Sequence, residues 1–357
     1  MSHPVLRLLA DDLTGALDTA AEFSALCGPV PVRWGAAPEV GSAALSSASR
    51  ELGRAAALAA VAPLLPALAE GGIAYRKLDS LLRGPVAAEL AACWATGAWA
   101  YCVLAPAFPA MRRIARGGAV LAGTAEGGWA PIPMPDWGAE GLAVQRGQLD
   151  APLPPGISWF DAEDDSTLAS IVVLGRAAPG RVLWAGSGGL ARALAGDALV
   201  RPETRLEAPV LGLFGSDQAA TARQLAACGD AWLRVSGAAE APRVAARQVA
   251  LVSLALPEGT PRAEAAARIA TEFAALLRTL PRPGTLIVAG GETLRAVCDA
   301  LGAEGLLAEG LVAPGVPRSR LLGGAWSGLP VISKSGAFGG DALWRDLLAA
   351  QPWSKHA

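Results

Sequence analysis

Five times along this 357-residue chain a short apolar run ends in a turn of Gly, Asp, Ser or Lys and passes straight into a segment with helical spacing. No other feature limits the fold as much. The runs are Val5–Ala10, Ile73–Leu78, Val210–Phe214, Thr285–Ala289 and Pro330–Ser333. Their turns are Asp11-Asp12, Asp79–Gly84, Gly215-Ser216-Asp217, Gly290-Gly291 and Lys334–Gly340. After the fourth, Leu294, Val297, Cys298 and Leu301 fall at i, i+3, i+4 and i+7, one face of a helix. Strands alternating with helices predict mostly parallel sheets covered on both faces. The length exceeds what one core usually organises. The expectation is therefore an α/β protein of two domains, each a mostly parallel sheet flanked by helices, with a cleft between them. Charge and proline replace an alanine-rich helix in the segment 196–209, which places the domains at residues 1–204 and 205–357. Residues 117–155, dense in Gly and Pro, read as an irregular excursion, and 55–69 as a helix bent at Pro63 and Pro66.

Several function classes fall away. A net charge of −2 with no basic run interleaved with aromatics speaks against nucleic acid. The five cysteines, Cys27, Cys93, Cys102, Cys228 and Cys298, form no C-x-x-C pair, so neither a zinc site nor a disulfide framework is expected and a reducing cytoplasm is the simplest home. Both histidines, His3 and His356, lie at the chain ends, which disfavours histidine chemistry. Residues 90–111 carry no charge over a bilayer-spanning length, yet Thr96-Gly97, Pro106 and Pro109 divide them into a helix end, a turn and the strand Trp99–Ala105. No membrane span and no signal peptide are expected. A G-x-x-x-x-G-K-[ST] loop is absent, as is a G-x-G-x-x-G after a strand, so any nucleotide is held in another way.

In open α/β sheets ligands bind beyond the carboxyl ends of the strands, which makes the five turns the candidate site. Asp11 and Asp12 sit at the start of a helix opened by Thr14-Gly15. One of them could accept a proton or hold a magnesium-bound water, while Asp12 serves equally well as a plain N-cap. Arg76, Lys77, Asp79, Ser80 and Arg83 gather charges that suit an anionic substrate, or form a surface ion-pair loop. Lysine is rare, three residues against 27 arginines, and Lys77 and Lys334 both stand beside such loops. Gly290, Gly291, Glu292 and Thr293 let backbone amides approach a phosphate, and Lys334–Gly340 is a second flexible loop of that kind.

Taken together the motifs resemble the four-carbon acid sugar kinase family over nearly the whole chain. They appear in order as Ala10–Thr19, Lys77–Gly84, Pro106–Pro109, Gly186–Ala191, Gly215-Ser216 with Thr221 and Gln224, Gly290–Thr293, Pro314–Pro317 and Lys334–Gly339. A further family segment survives as Ser46–Arg50, which keeps Ser49 and Arg50. The resemblance implies an N-terminal domain that binds the sugar acid and a C-terminal domain that binds ATP. It places Asp11, Thr14, Gly15, Asp18, Arg50, Lys77, Ser80 and Arg83 with the substrate, and Ser216, Gly290 to Thr293, Lys334, Gly336 and Gly339 with the nucleotide. In the mechanism that follows, Asp12 or Asp79 accepts the proton of the terminal hydroxyl, Mg2+ bridges the ATP phosphates, mainly through water and one carboxylate, and the domains close over the reactants. D-threonate or D-erythronate is the expected acid, and a homodimer the candidate assembly. Two other readings remain: a non-catalytic sensor of sugar acid or nucleotide, and a nucleotide-dependent hydroxy-acid ligase releasing AMP.

Overall fold

The computed structural model describes residues 3–35, 40–124, 126–196 and 203–353. Part of the segment read as the domain boundary, together with Lys355 and His356, lies outside those residues. The chain divides into two compact units, Met1–Val200 and Arg201–Ala357.

The first unit is built on β1 (Leu6–Ala10), β2 (Val30–Arg33), β3 (Ala43–Ser46), β4 (Ile73–Lys77), β5 (Tyr101–Ala105), β9 (Val144–Arg146), β10 (Gly156–Trp159) and β11 (Val182–Gly186). These pair in parallel in the order β2-β3-β1-β4-β11-β5-β10-β9. Helix α7 (Gly188–Ala195) packs against both α1 (Leu13–Glu22) and α6 (Asp165–Arg176). The rest of the helical cover is the short α2 (Ser24–Cys27) with α3 (Arg54–Val61), α4 (Leu65–Ala69) and α5 (Val86–Trp94). Every residue of β1 and of α1 is buried, so this strand–turn–helix lies at the heart of the unit. Pro63 and Pro66 do split α3 from α4, with a short 3-10 turn between them. Charge-free residues 90–111 are cut where the turn was read: α5 stops at Trp94 and β5 starts at Tyr101. No helix among the described residues is long and apolar enough to cross a membrane.

The excursion differs from its expected irregularity. β6 (Arg113–Arg116), β7 (Ala119–Gly123) and β8 (Trp129–Pro131) form a small antiparallel sheet. Its first hairpin turns on Gly117 and Gly118, both left-handed at φ 63° and 84°. Strands of three to five residues are too short to show a period of two against that much glycine and proline.

The second unit has β12 (Val210–Phe214), β13 (Trp232–Val235), β14 (Val249–Leu254), β15 (Thr285–Ala289), β16 (Gly305–Ala313), β17 (Val316–Leu322) and β18 (Pro330–Lys334), in the order β13-β14-β12-β15-β18-β17-β16. Pairing is parallel through β18 and antiparallel to β17 and β16. Its helices are α8 (Ala219–Ala226), α9 (Ala241–Ala245), α10 (Arg262–Thr279), α11 (Gly291–Ala300) and α12 (Leu343–Ala349). Val210, Phe214, Leu251, Ile287, Ile332 and Trp344 lie in one core cluster, where Trp344 meets Phe214 edge-on at 5.9 Å.

In each unit the strand order reverses beside a strand that opens a candidate loop. β1 lies between β3 and β4, and β12 between β14 and β15. Such a switch point leaves a crevice at the carboxyl end of a parallel sheet.

Candidate functional site

The first cluster gathers the turns that follow the adjacent strands β3, β1 and β4. Asp12 has the extended backbone of an N-cap, and its Oδ1 accepts the Gly15 amide at 2.8 Å. The same oxygen accepts from Arg50 Nη2 at 2.7 Å, while Oδ2 accepts from Thr14 Oγ1 at 2.7 Å. The capping role and membership of the charged cluster thus belong to one residue. Gly15 is needed for close approach, since a Cβ there would overlap Asp12 Oδ1 and lie 3.1 Å from Lys77 Nζ.

Arg50 organises the acids. Its Nε and Nη2 donate to the two oxygens of buried Asp11 at 2.8 Å each, the bidentate geometry that fixes a guanidinium, and Nη2 lies 3.5 Å from Asp79. The loop carrying Arg50 is pinned from below: the Ser49 and Arg50 amides donate to Asp11 O, and the Ser49 hydroxyl donates to Glu89, which pairs with Arg76. Arg76 and Glu89 are each 1% exposed, a buried pair that supports the loops. Asp79 is more heavily held than Asp12: Arg83 grips both its oxygens at 2.8 Å, and the amides of Leu81 and Arg83 donate to Oδ2 at 3.2 Å.

These contacts set the charges. Burial opposes ionisation of Asp12, but Arg50 and Lys77, with the Thr14 and Gly15 hydrogen bonds, outweigh it and hold the carboxyl below the usual range. Asp79 is likewise lowered against burial, by its Arg83 bonds and by Arg50 and Lys77. Asp18, one turn further along α1, goes the other way: burial pushes it up to about 6, restrained by Lys77 and Thr19. Burial takes Glu22 up to about 7. Lys77 is 5% exposed, and among the described residues its ammonium has no hydrogen-bond or ion-pair partner. Ser80 is buried in the same loop.

The second cluster joins the turns after the neighbouring strands β12, β15 and β18. Gly290 N donates to Lys334 O at 3.0 Å, and Thr221 Oγ1 to Gly336 O at 2.9 Å. Gln224 Nε2 gathers the carbonyls of Phe338, Gly339 and Gly340 at 3.0–3.1 Å. A Cβ on Gly336 would overlap Ser216 Oγ, so the two loops approach closely only because position 336 carries no side chain. Neither α8 nor α11 has a side-chain cap on its first amides, which leaves two helix starts free to donate to an anion. Thr293 is buried, while Glu292 points outward to Arg262 at 3.4 Å. Lys334 is turned inward: its Nζ donates to Gly336 O at 2.9 Å and Ser335 O at 3.1 Å, and burial brings its pKa down to about 7. It braces the loop from beneath.

Two features were not read from the sequence. Thr221 and Gln224 were noted only as motif members, yet they tie α8 to the 336–340 loop. Arg113 was not singled out, yet it lies within electrostatic reach of Asp79 and Arg83.

Comparison with known proteins agrees with this layout. Residues 6–132 match a sugar-binding N-terminal domain and residues 236–343 a nucleotide-binding C-terminal domain. A D-threonate kinase of Bordetella bronchiseptica is 32% identical, with 95% of each chain covered. A D-erythronate kinase of Heliobacterium modesticaldum is 37% identical over 94 residues, 25% of this chain and 21% of that one. The fold recurs in a solved protein of Salmonella typhimurium LT2, with a TM-score of 0.76 at 22% identity, covering 97% of this chain and 98% of that one. The chain belongs to the four-carbon acid sugar kinase family.

Proposed function

We propose that this kinase moves the terminal phosphoryl group of ATP to the terminal hydroxyl of a four-carbon sugar acid of the D-threonate or D-erythronate type. Residues 1–204 hold the acid and 205–357 the nucleotide. The observation that carries the reading is Lys77: on a residue only 5% exposed, an ammonium with no hydrogen-bond or ion-pair partner among the described residues, within electrostatic reach of Asp12, Asp18 and Asp79, is a seat for an anion. Asp11 serves by fixing Arg50, and Arg50 by holding the acids in place.

Asp12 is the better candidate for the proton acceptor. Its side chain is 19% exposed against 7% for Asp79, and it lacks the bidentate arginine that saturates Asp79. A lowered pKa makes it a weak base, which phosphoryl transfer tolerates because most of the work is in positioning and in compensating phosphoryl charge. On the nucleotide side, Ser216, the amides from Gly290 to Thr293, and Gly336 and Gly339 line the phosphate seat, with Lys334 holding the loop. For Mg2+ the fit is partial: the described residues contain no cluster of three or more His, Cys, Asp or Glu side chains able to hold an ion. The ion would therefore arrive on the triphosphate, where it would offset phosphate charge.

An ADP-release assay with Mg-ATP against D-threonate, D-erythronate and the corresponding 3-oxo acids tests the reading. Acid-dependent ADP formation supports it. AMP in place of ADP would point to a ligase, and ATP binding without turnover of any four-carbon acid to a sensor.

A further inference from the structure

The loop after β18 hides its carbonyls and shows its amides. In a trans peptide the carbonyl and the amide hydrogen point in opposite directions, so whatever collects the carbonyls of a loop also decides where its amides aim. Lys334 Nζ donates to Ser335 O at 3.1 Å, to Gly336 O at 2.9 Å and to Thr221 Oγ1 at 3.3 Å, and Thr221 itself donates to Gly336 O. Gln224 Nε2 collects the carbonyls of Phe338, Gly339 and Gly340. Its Oε1 is buried without a partner, so the whole amide is given over to this loop. On the far side of these peptides stand the amides of Gly336, Ala337, Gly339 and Gly340, which meet no acceptor among the described residues. Free amides aimed away from the carbonyls in this way are the makings of an anion seat.

Lys334 does this without a counter-charge. The residue is 1% exposed, and no carboxylate lies within ion-pair distance of it among the described residues. The charged side chains on the elements around it are engaged elsewhere. Arg223 of α8 pairs with Asp341, Glu292 of α11 with Arg262, and Arg345 of α12 with Asp346. Arg318 of β17 donates to Arg205 O, and Asp217 accepts from Gln218 Nε2. A buried ammonium in such surroundings carries a desolvation cost that carbonyl bonds offset only in part, which is why burial brings Lys334 down to about 7. A triphosphate laid on the outer side of the loop would supply the missing negative charge.

We infer that Lys334 and Gln224 are positioning residues for the nucleotide: neither touches it, and by drawing the carbonyls of residues 335–340 inward they aim the loop amides at its phosphates, Lys334 doing so as the ammonium. The neutral amine has one donor fewer and no charge, so it holds the loop less firmly and offers the phosphates nothing at a distance. Nucleotide binding therefore favours the protonated lysine, and by linkage the protonated lysine favours the nucleotide.

This inference rests on reading the second unit as the nucleotide domain, and the test separates the two. Lys334→Gln keeps hydrogen-bond donors and removes the charge, while Gln224→Leu removes the donors and keeps roughly the shape. The KM values for ATP and for the acid are measured with both variants and wild type at about pH 6 and about pH 9, either side of the Lys334 titration. At the lower pH the ATP KM should rise by about 10- to 100-fold in Lys334→Gln and about tenfold in Gln224→Leu, with the acid KM within about twofold in both. Wild type loses the charge as the pH rises through about 7. The ratio of variant to wild-type ATP KM should therefore fall by about fivefold or more between the two pH values in Lys334→Gln, and stay within about twofold in Gln224→Leu. An ATP KM raised less than about threefold in either variant, a Lys334→Gln ratio that ignores pH, or acid and ATP constants rising together overturns the inference and leaves the nucleotide reading intact. Wild type that binds neither ATP nor ADP overturns both. Should Lys334→Gln fail to fold, wild type decides: Mg-ADP titrated calorimetrically at about pH 8 in two buffers of different ionisation enthalpy should take up about half a proton or more, no uptake being contrary.

Discussion

At the scale of the residue, the acid cluster shows how environment gives one side chain several parts to play. In sequence, Asp12 read equally well as a helix cap or a proton acceptor, and the structure joins the cap to the charged cluster in the same carboxylate. Asp12→Asn keeps an acceptor for the Gly15 amide, so the fold should survive. If Asp12 is the base, turnover in a steady-state assay should fall by about 10²- to 10⁴-fold with the KM for ATP unchanged. Near-normal turnover would move the role to Asp79. Glu22 makes a different prediction. Its carboxyl is raised by burial from 4.5 to about 7, so the folded state binds a proton the unfolded state has released between those values. Stability from this group is present below about pH 4 and is lost as pH rises through about 7. Glu22→Gln should therefore gain on wild type by about 1–3 kcal/mol at pH 8 and by much less at pH 5, measured as the difference between their unfolding curves. Equal differences at the two pH values would show that Glu22 is not held in this way. Arg113 was missed in the sequence because one arginine among 27 carries no signal.

At the scale of the element, the strand–turn–helix units were legible because each pairs a largely buried strand with a helix of clear spacing: Val210–Phe214 and Thr285–Ala289 match the structure to the residue. The hairpin of β16 and β17 was not read. Its turn is Pro314-Gly315, with Gly315 at φ 68°, an ordinary signal for two strands, but apart from Glu309 both faces of Gly305–Ala313 are apolar or glycine, so the sequence shows no polar–apolar alternation although Leu306, Ala308, Gly310 and Val312 are the buried face. The small β6–β8 sheet escaped for want of length. In the second unit the Ser216 side chain fills the space that a side chain at position 336 would need, which makes a sharp prediction. Gly336→Ala places a methyl against Ser216 Oγ and should raise the KM for ATP by about tenfold while leaving the acid KM within twofold, because the acid residues lie in the other unit. A change in both constants would indicate general damage.

For the whole molecule, two units with the same logic each place their polar turns at the carboxyl ends of adjacent parallel strands, beside the strand where the order reverses. The fold class followed from the repeat of strand and helix, and the position of the sites from that rule. What each turn does depended on side chains brought to one place from the turns after β3, β1 and β4, which no local pattern contains. In the second unit the fully buried Trp344 sits in the core cluster against Phe214, so Trp344→Ala should cost about 3–5 kcal/mol, seen as a lowered unfolding midpoint, with a loss near zero placing the stability elsewhere. The central claim is transfer from ATP to the terminal hydroxyl of a four-carbon acid, and identifying the product by mass and by phosphorus NMR after incubation with Mg-ATP and D-threonate or D-erythronate tests it most directly. The account predicts ADP together with an acid carrying one phosphate on its terminal carbon. Free phosphate with unmodified acid, or an adenylated acid with pyrophosphate released, would contradict it.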